Sequence, residues 1–450
     1  MYRYKSFLKR QVRDFQLMEF RTFVLLKVKT FLYLIAIFPF YITAFIFCLL
    51  MRILSIFLII RVGRISAVNF GNLAEDPARY LCKKKLNLEA IDKKKIDLFY
   101  FFEGDFTPNT QLIKMWKREL NVLPKFFLHP IYEINNIFPD KLKFKIISLE
   151  ENFYRDISDL VGRFRKNGSE ILKFTNEEER LGQNLLKKIG INKSDKFICL
   201  AVRDEEYQKL KSKNKNHDWS YHSYRNYNID KFILTAEELT KMGYYVIRMG
   251  VKASKPFISN NPKIIDYANS NIRNNFLDVY LGAKCSLCIS TGFGFDQVPY
   301  VFGVPLALIN MPVGDLRLYS EKIIVTTREH LDKKSKKKLS LNEIFSSGMA
   351  YCYSSIQFKK NEIEIIELKN EDIRDFALEA VNIFQNNYKL SEEEQHLQKK
   401  FKETFLKNHS KFKHLRTSKN KSDEMHKEIK SYFSPSFLRK NQYWLNYDVR

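Results

Sequence analysis

The sequence predicts an α/β protein of two Rossmann-like domains, with an N-terminal membrane-anchoring helical segment and a C-terminal helical tail. Three observations predict it. Short apolar runs alternate with amphipathic stretches from residue 52 to about 390, the pattern of strand-helix repeats around parallel sheets. The stretch Phe31–Met51 (FLYLIAIFPFYITAFIFCLLM) carries no charged residue and matches the roughly 20 apolar residues that cross a hydrocarbon core. The run Ala283–Gly314 (AKCSLCISTGFGFDQVPYVFGVPLALINMPVG) reads as buried strand, tight turn, short helix, stop and second buried strand. The expected divisions are 1–51, basic N-terminus and anchor; 52–190, first Rossmann-like domain; 191–390, second; and 391–450, a charged extension docking back on the body.

The chain has 450 residues, 45% of them hydrophobic, enough for large cores, and its net charge of +25 favours an anionic partner. Lysines and arginines flank the apolar stretch on both sides, from Arg3 to Lys29 and at Arg52, Arg61 and Arg64. Both ends are thereby drawn to the cytoplasm, which suits a re-entrant or monotopic anchor kinked at Pro39 better than a single pass. The competing reading is a buried core helix. Cysteines 48, 82, 199, 285, 288 and 352 are scattered, as buried thiols in a reducing compartment would be. Cys285 and Cys288 are spaced Cys-x-x-Cys, but on a strand they point to opposite faces and no second pair completes a zinc site.

After the anchor, Leu54–Val62 reads as a first strand and Gly63–Ser66 as its βα turn. A second strand is expected at Ile96–Glu103, a helix from Thr107-Pro108 to Leu120, a strand at Phe138–Leu149 and a helix at Glu177–Ile189 ended by Gly190. The second domain opens with a strand at Lys196–Val202. A helix (Ile229–Met242), two strands (Tyr244–Met249 and Lys263–Asp266) and a helix (Asn275–Ala283) lead to the strand-turn-helix-strand unit. From Ser391 the chain is charged, with a flexible stretch at Arg416–Asp423, and Phe437 and Trp444 are expected to dock on the body. The basic run Lys333–Lys338 reads as a solvated loop, with contact to lipid headgroups or an anionic substrate as the alternative.

The turn Ser290–Gly294 carries the chemistry. Strand ends of open α/β sheets face the ligand crevice, and a helix starting there offers free N–H groups to a phosphate. Thr291 can cap the helix or donate its hydroxyl, while Gly292 and Gly294 permit positive φ and close approach of a ligand. An ordinary βα turn whose glycines only relieve sterics is the other reading.

The runs CISTGFGFDQVPYVFGVPLALIN, RVGRISAVNFGNLAEDPARYL, AVRDEEY, YHSYRN, YYVIRMG and SPSFLRKNQYWL resemble GT-B-fold glycosyltransferases, and more narrowly a group of bacterial glycosyltransferases associated with surface polysaccharide synthesis. The resemblance spans roughly residues 52–450 and implies a nucleoside-diphosphate sugar donor bound mostly on the second domain, with Ser290, Thr291, Gly292, Phe293 and Gly294 at its diphosphate. Arg203 then pairs with phosphate oxygens and stabilises the departing nucleoside diphosphate, with a salt bridge to Asp204 or Asp230 as its alternative role. Arg225 and Arg248 are further cationic candidates, and Asp296 and Gln297 candidates for ribose or sugar hydroxyls, Asp296 alternatively capping its helix. A general base is expected from the first domain, with Asp105 beside Glu103 as the best acid, and Gly63, Arg64, Ser66 and Asn69 form the acceptor side.

No Asp-x-Asp pair is present, so neither metal nor other cofactor is implied. The acceptor is a glycan or a lipid-linked molecule, the second partner an anionic membrane surface on the cytoplasmic side, and no nucleic-acid module is recognisable. Two alternatives stay open: a same-fold nucleotide-sugar epimerase or glycerol-phosphate transferase, and a non-catalytic basic scaffold anchored at the membrane.

Overall fold

The computed structural model describes residues 20–88, 94–104, 106–146, 159–166, 168–211, 220–415 and 428–446. By contacts the chain separates into two compact units, one of Met1–Arg64, Ile91–Phe101 and Leu120–Ile147, the other of Ile65–Ala90, Phe102–Glu119 and Ser148–Arg450.

The smaller unit is built on α1 (Phe20–Leu54), longer than the apolar stretch that signals it. Its part Ile35–Leu54 is long and apolar enough to cross a membrane, and only 17% of it is buried. Pro39 removes one backbone donor, and the Thr43 hydroxyl donates to the Pro39 carbonyl at 3.2 Å. Strands β1 (Leu58–Ala67), β2 (Lys94–Glu103) and β3 (Lys145–Ile146) form a sheet in the order β2-β1-β3, and β1 pairs β3 in parallel, Val62 opposite Lys145. Arg61 and Asp97, both buried, join β1 to β2 through a bidentate pair at 2.6 and 2.9 Å. Gly63–Ser66 therefore lie within a strand, not in a turn, because Arg61 finds a carboxylate and the strand continues past it. The expected strand Phe138–Leu149 is one helical turn, Lys141–Phe144, followed by β3; 147–149 fall outside the described residues.

The larger unit begins with α2 (Phe70–Lys85) and α3 (Thr110–Glu119). Helix α5 (Asn176–Lys188) opens on a capping box in which Thr175 and Glu178 each satisfy the other's backbone N–H. The core is one parallel sheet of seven strands: β4 (Lys196–Ala201), β5 (Tyr244–Arg248), β6 (Ile264–Ile265), β7 (Leu287–Ser290), β8 (Leu306–Met311), β9 (Ile323–Thr327) and β13 (Tyr432–Phe433). Every residue of β7, β8 and β9 is buried, as strands covered on both faces require. Read from the β6 edge the order is β6-β5-β4-β7-β8-β9-β13. The first three strands run outward in one direction and the later ones in the other, which is the dinucleotide-fold order with its reversal between β4 and β7. Strands β10 (Glu329–Asp332), β11 (Lys337–Lys338) and β12 (Ile363–Ile366) form a separate antiparallel sheet that includes the basic run.

Between β7 and β8 a short helix, Gln297–Phe302, stops at Gly303 (φ 75), where the N–H groups of Gly303 and Val304 return to Tyr300 and Pro299. A long helix, Glu392–Phe412, buries Leu397, Phe401 and Phe405. The rings of Phe401 and Phe433 lie 4.4 Å apart, and Phe437 and Trp444 are buried beside them. The stretch Arg416–Asp423 lies outside the described residues.

Candidate functional site

The reversal point between β4 and β7 is where the chain departs on both sides of a parallel sheet and leaves a crevice at the carboxyl ends. Ala201 stands opposite Ser290 there, and the residues that follow are tied together. Thr291 N–H donates to the Ala201 carbonyl, and Arg203 N–H to the Thr291 hydroxyl, each at 3.0 Å. Thr291 thus braces the two strand ends through its side chain.

The turn is held from inside by Asp296, which is fully buried. One of its oxygens accepts from the Ser290 hydroxyl at 3.1 Å and from Phe293 N–H at 2.9 Å; the other accepts from Arg317 Nη1 at 2.8 Å and Gln297 Nε2 at 3.2 Å. Ser290 in turn accepts from Gly292 N–H at 3.1 Å. The carboxylate expected at sugar hydroxyls is enclosed, and Ser290, Asp296 and Gln297 shape the turn from beneath. Gly292 has φ +79, and a Cβ there would lie 2.3 Å from Met311 Sδ. Gly294 answers a different need: a Cβ on it would stand 2.8 Å from the Gly71 nitrogen, so two glycine backbones meet where the first turn of α2 packs on the loop. Phe70 and Phe295 stack beside this contact, centroids 6.3 Å apart.

Above the turn sits the segment Tyr224–Tyr227. Arg225 Nη2 donates to the Gly292 carbonyl at 2.7 Å. The Asn226 side-chain oxygen accepts from Arg203 Nη1 at 2.9 Å, and its backbone carbonyl from Arg328 Nη2 at 3.3 Å. Arg328 also donates from Nε to the Tyr227 hydroxyl and lies over that ring at 3.9 Å. Three guanidinium groups are therefore gathered by one short segment. Among the described residues neither Arg225 nor Arg328 has a carboxylate within ion-pair distance. Burial, and next the charge of Arg225, push Arg203 down from 12.5 to about 10. An anion placed here relieves both penalties.

Arg248 is placed differently. It is 2% exposed and lies between Asp204 at 3.7 Å and Asp266 at 3.6 Å, so its charge is compensated by two carboxylates. Asp204 also accepts from Ser254 N–H at 2.9 Å, and Asp230 pairs with Lys255. On the expected acceptor side, Gly63 packs on the Phe99 ring, Arg64 lies 5.8 Å from the Tyr132 ring centre, Ser66 is fully buried and Asn69 precedes α2 as its N-cap. Gly63 and Arg64 belong to the smaller unit, Ser66 and Asn69 to the larger. Glu103 ends β2 exposed; Asp105 lies outside the described residues. Among the described residues no group of three His, Cys, Asp or Glu side chains could hold a metal ion.

A shallow, solvent-open crevice beside Arg328 is lined by Tyr224, Asn310, Met311, His330 and Phe358 among others. Asn310, next to last in β8, has φ +58, is 2% exposed, and among the described residues finds no partner for either carboxamide atom. His330 is buried, which lowers it to about 4 and keeps it neutral. Arg328, Asn226, Asn310 and Gly71 had no assigned role in the sequence. Arg328 follows IIVTT, the same strand-end position as Arg203, and that rule finds it; nothing in the sequence announces the left-handed backbone of Asn310.

Sheet order and strand-end arginines together make this crevice the candidate site of the larger unit. No protein-family model matches the chain, and no curated protein sequence does. Solved structures similar to it include a glycosyl transferase of family 9 from Veillonella parvula, 11% identical, covering 72% of this chain and 97% of that one at TM-score 0.39. The ADP-heptose lipopolysaccharide heptosyltransferase II of E. coli is 10% identical over 60% of this chain and 90% of its own, at TM-score 0.37. The iron-containing dodecameric glycosyltransferase TibC of enterotoxigenic E. coli is 10% identical over 59% and 61%, at TM-score 0.29. Likeness at this level carries no functional weight.

Proposed function

We propose that the protein is a glycosyltransferase that moves a sugar from a nucleoside-diphosphate donor to a glycan or lipid-linked acceptor in cell-surface polysaccharide synthesis, anchored by α1 at the cytoplasmic face of a bacterial membrane. The supporting observation is the gathering of Arg203, Arg225 and Arg328 by the segment Tyr224–Tyr227, two of them without a carboxylate partner among the described residues. A diphosphate supplies the missing charge. In the reaction, Arg203 and Arg225 hold the diphosphate over Thr291 and Gly292 and stabilise the charge that grows on it as the glycosidic bond breaks. Asp105 is assigned as the base that takes the acceptor hydroxyl proton. Arg248, neutralised by Asp204 and Asp266, fixes the ends of β4 and β5. Titration calorimetry of the full chain with a panel of nucleoside-diphosphate sugars tests this. One donor class binds, and Arg225→Ala weakens it at least ten-fold; equal affinity in the variant removes Arg225 from the site, and no binding to any donor favours a scaffold.

A further inference from the structure

The smaller unit carries more exposed apolar surface than its long helix explains. Helix α4 (Lys125–Asn135) crosses α1 and covers its Ala44, Cys48 and Met51 face, the Cys48 thiol donating to the Ile131 carbonyl at 3.6 Å. Phe40 meets Phe126 at 6.2 Å, Phe47 meets Phe127 at 6.2 Å, and Phe45 stacks on Phe138 at 5.9 Å. Phe40, Phe45 and Phe47 all belong to the apolar stretch Ile35–Leu54, so α4 and Phe138 pack directly against that stretch. Yet Phe126 is 66% exposed, Phe127 45%, Ile137 74% and Leu142 64%. Left in water, such side chains forgo the gain that burial of their apolar area would bring.

The charges interspersed with these side chains are mostly positive. Lys125, Lys141 and Lys143 are exposed; of the two acids among them, Asp140 is paired with Arg52 at 2.8 Å and Glu133 lies half-buried on α4. Aromatic and aliphatic side chains beside a lysine cluster are the composition of a helix lying at the interface of an anionic bilayer.

We propose that α4 and the segment Ile137–Lys143 form a second lipid-contacting surface, with Phe126, Phe127, Ile137 and Leu142 at the acyl boundary and the lysines among anionic headgroups. The proposal rests on α1 residing in lipid. It makes the anchor a two-element device: α1 holds the chain in the bilayer, and α4 seats the smaller unit flat against its surface.

The six native cysteines are buried, so a single introduced cysteine can carry a nitrobenzoxadiazole label selectively. The full chain is labelled in turn at F126C, L142C, F38C on α1 and M242C as an aqueous reference, and reconstituted into vesicles of phosphatidylcholine and phosphatidylglycerol containing acyl-brominated lipid. Labels at 126, 142 and 38 are expected to be quenched and the one at 242 not. Replacing Lys141 and Lys143 by glutamine, or omitting phosphatidylglycerol, lowers the embedded fraction at 126, about five-fold in ratio for each lysine lost. Quenching at 38 with none at 126 and 142 overturns this surface and leaves the anchor standing; no quenching at any position overturns both. Shielding at 126 that appears without lipid and follows protein concentration assigns the face to a second copy of the chain and overturns the proposal.

Discussion

Replacing Arg203 by methionine separates a ligand-binding arginine from a structural one. The folded protein keeps this guanidinium charged although burial and the neighbouring Arg225 lower it from 12.5 to about 10. At about 1.4 kcal/mol for each pH unit, charged Arg203 costs the folded state roughly 3 kcal/mol at neutral pH. The sign follows from proton counts. Between about 10 and 12.5 the unfolded chain binds more protons, so the cost is fully present below about 10 and fades as pH rises toward 12.5. Methionine keeps much of the packing volume and removes the charge, at the loss of hydrogen bonding that includes the bond to Asn226, worth about 1–1.5 kcal/mol. The variant without ligand is expected to be as stable as the parent, or up to about 2 kcal/mol more stable, in denaturant titration, while affinity for the nucleoside diphosphate falls by about 2–3 kcal/mol, roughly 30- to 150-fold. A variant destabilised by more than about 2 kcal/mol, or one that binds as the parent does, refutes the reasoning.

Three further outcomes are expected. Asp296→Ala leaves Arg317 buried and unpaired and undoes the bonds that shape the turn, lowering stability by about 3–5 kcal/mol in denaturant titration and abolishing donor binding. Gly294→Ala sets a methyl group 2.8 Å from the Gly71 nitrogen; a loss of about 1–3 kcal/mol is expected by thermal unfolding, and a variant as stable as the parent shows that this contact can open. His330 is held at about 4 by burial against 6.5 ordinarily, so the unfolded chain binds the proton first and stability falls as pH drops from 6.5 toward 4, by about 3 kcal/mol at the lower limit; His330→Gln flattens that part of a pH-stability profile.

The parallel sheet of the larger unit is legible in the sequence because its strands are covered on both faces, so KFICLA, LCIS and LALINM read as unbroken apolar runs. Strand β1 is harder to read, since LIIRVGRISA contains two arginines and a charge ordinarily ends a buried strand. Its continuation depends on Asp97, a partner 36 residues away. The same limit applies at the site. Arg203 and Arg225 can be picked out as candidates because strand ends and polar loops are where ligands collect, but Asp296 reads as a helix cap with a free carboxylate until Arg317 is seen against it. The need for glycine at 294 lies in a second glycine early in the chain, and no local pattern expresses that.

The contact between Gly71 and Gly294 also sets an order of events during synthesis. The two residues are 223 positions apart, and β13, which pairs with β9 at Tyr432 and Phe433, comes later still. At about 5–20 residues per second, α2 leaves the ribosome on the order of 10–40 seconds before the loop it packs against. Trp116 covers part of its buried face earlier, donating to the Leu73 carbonyl at 2.8 Å, while the Gly71 end waits for the loop through that interval. The turn proposed to seat the diphosphate is thus among the last features of the larger unit to form.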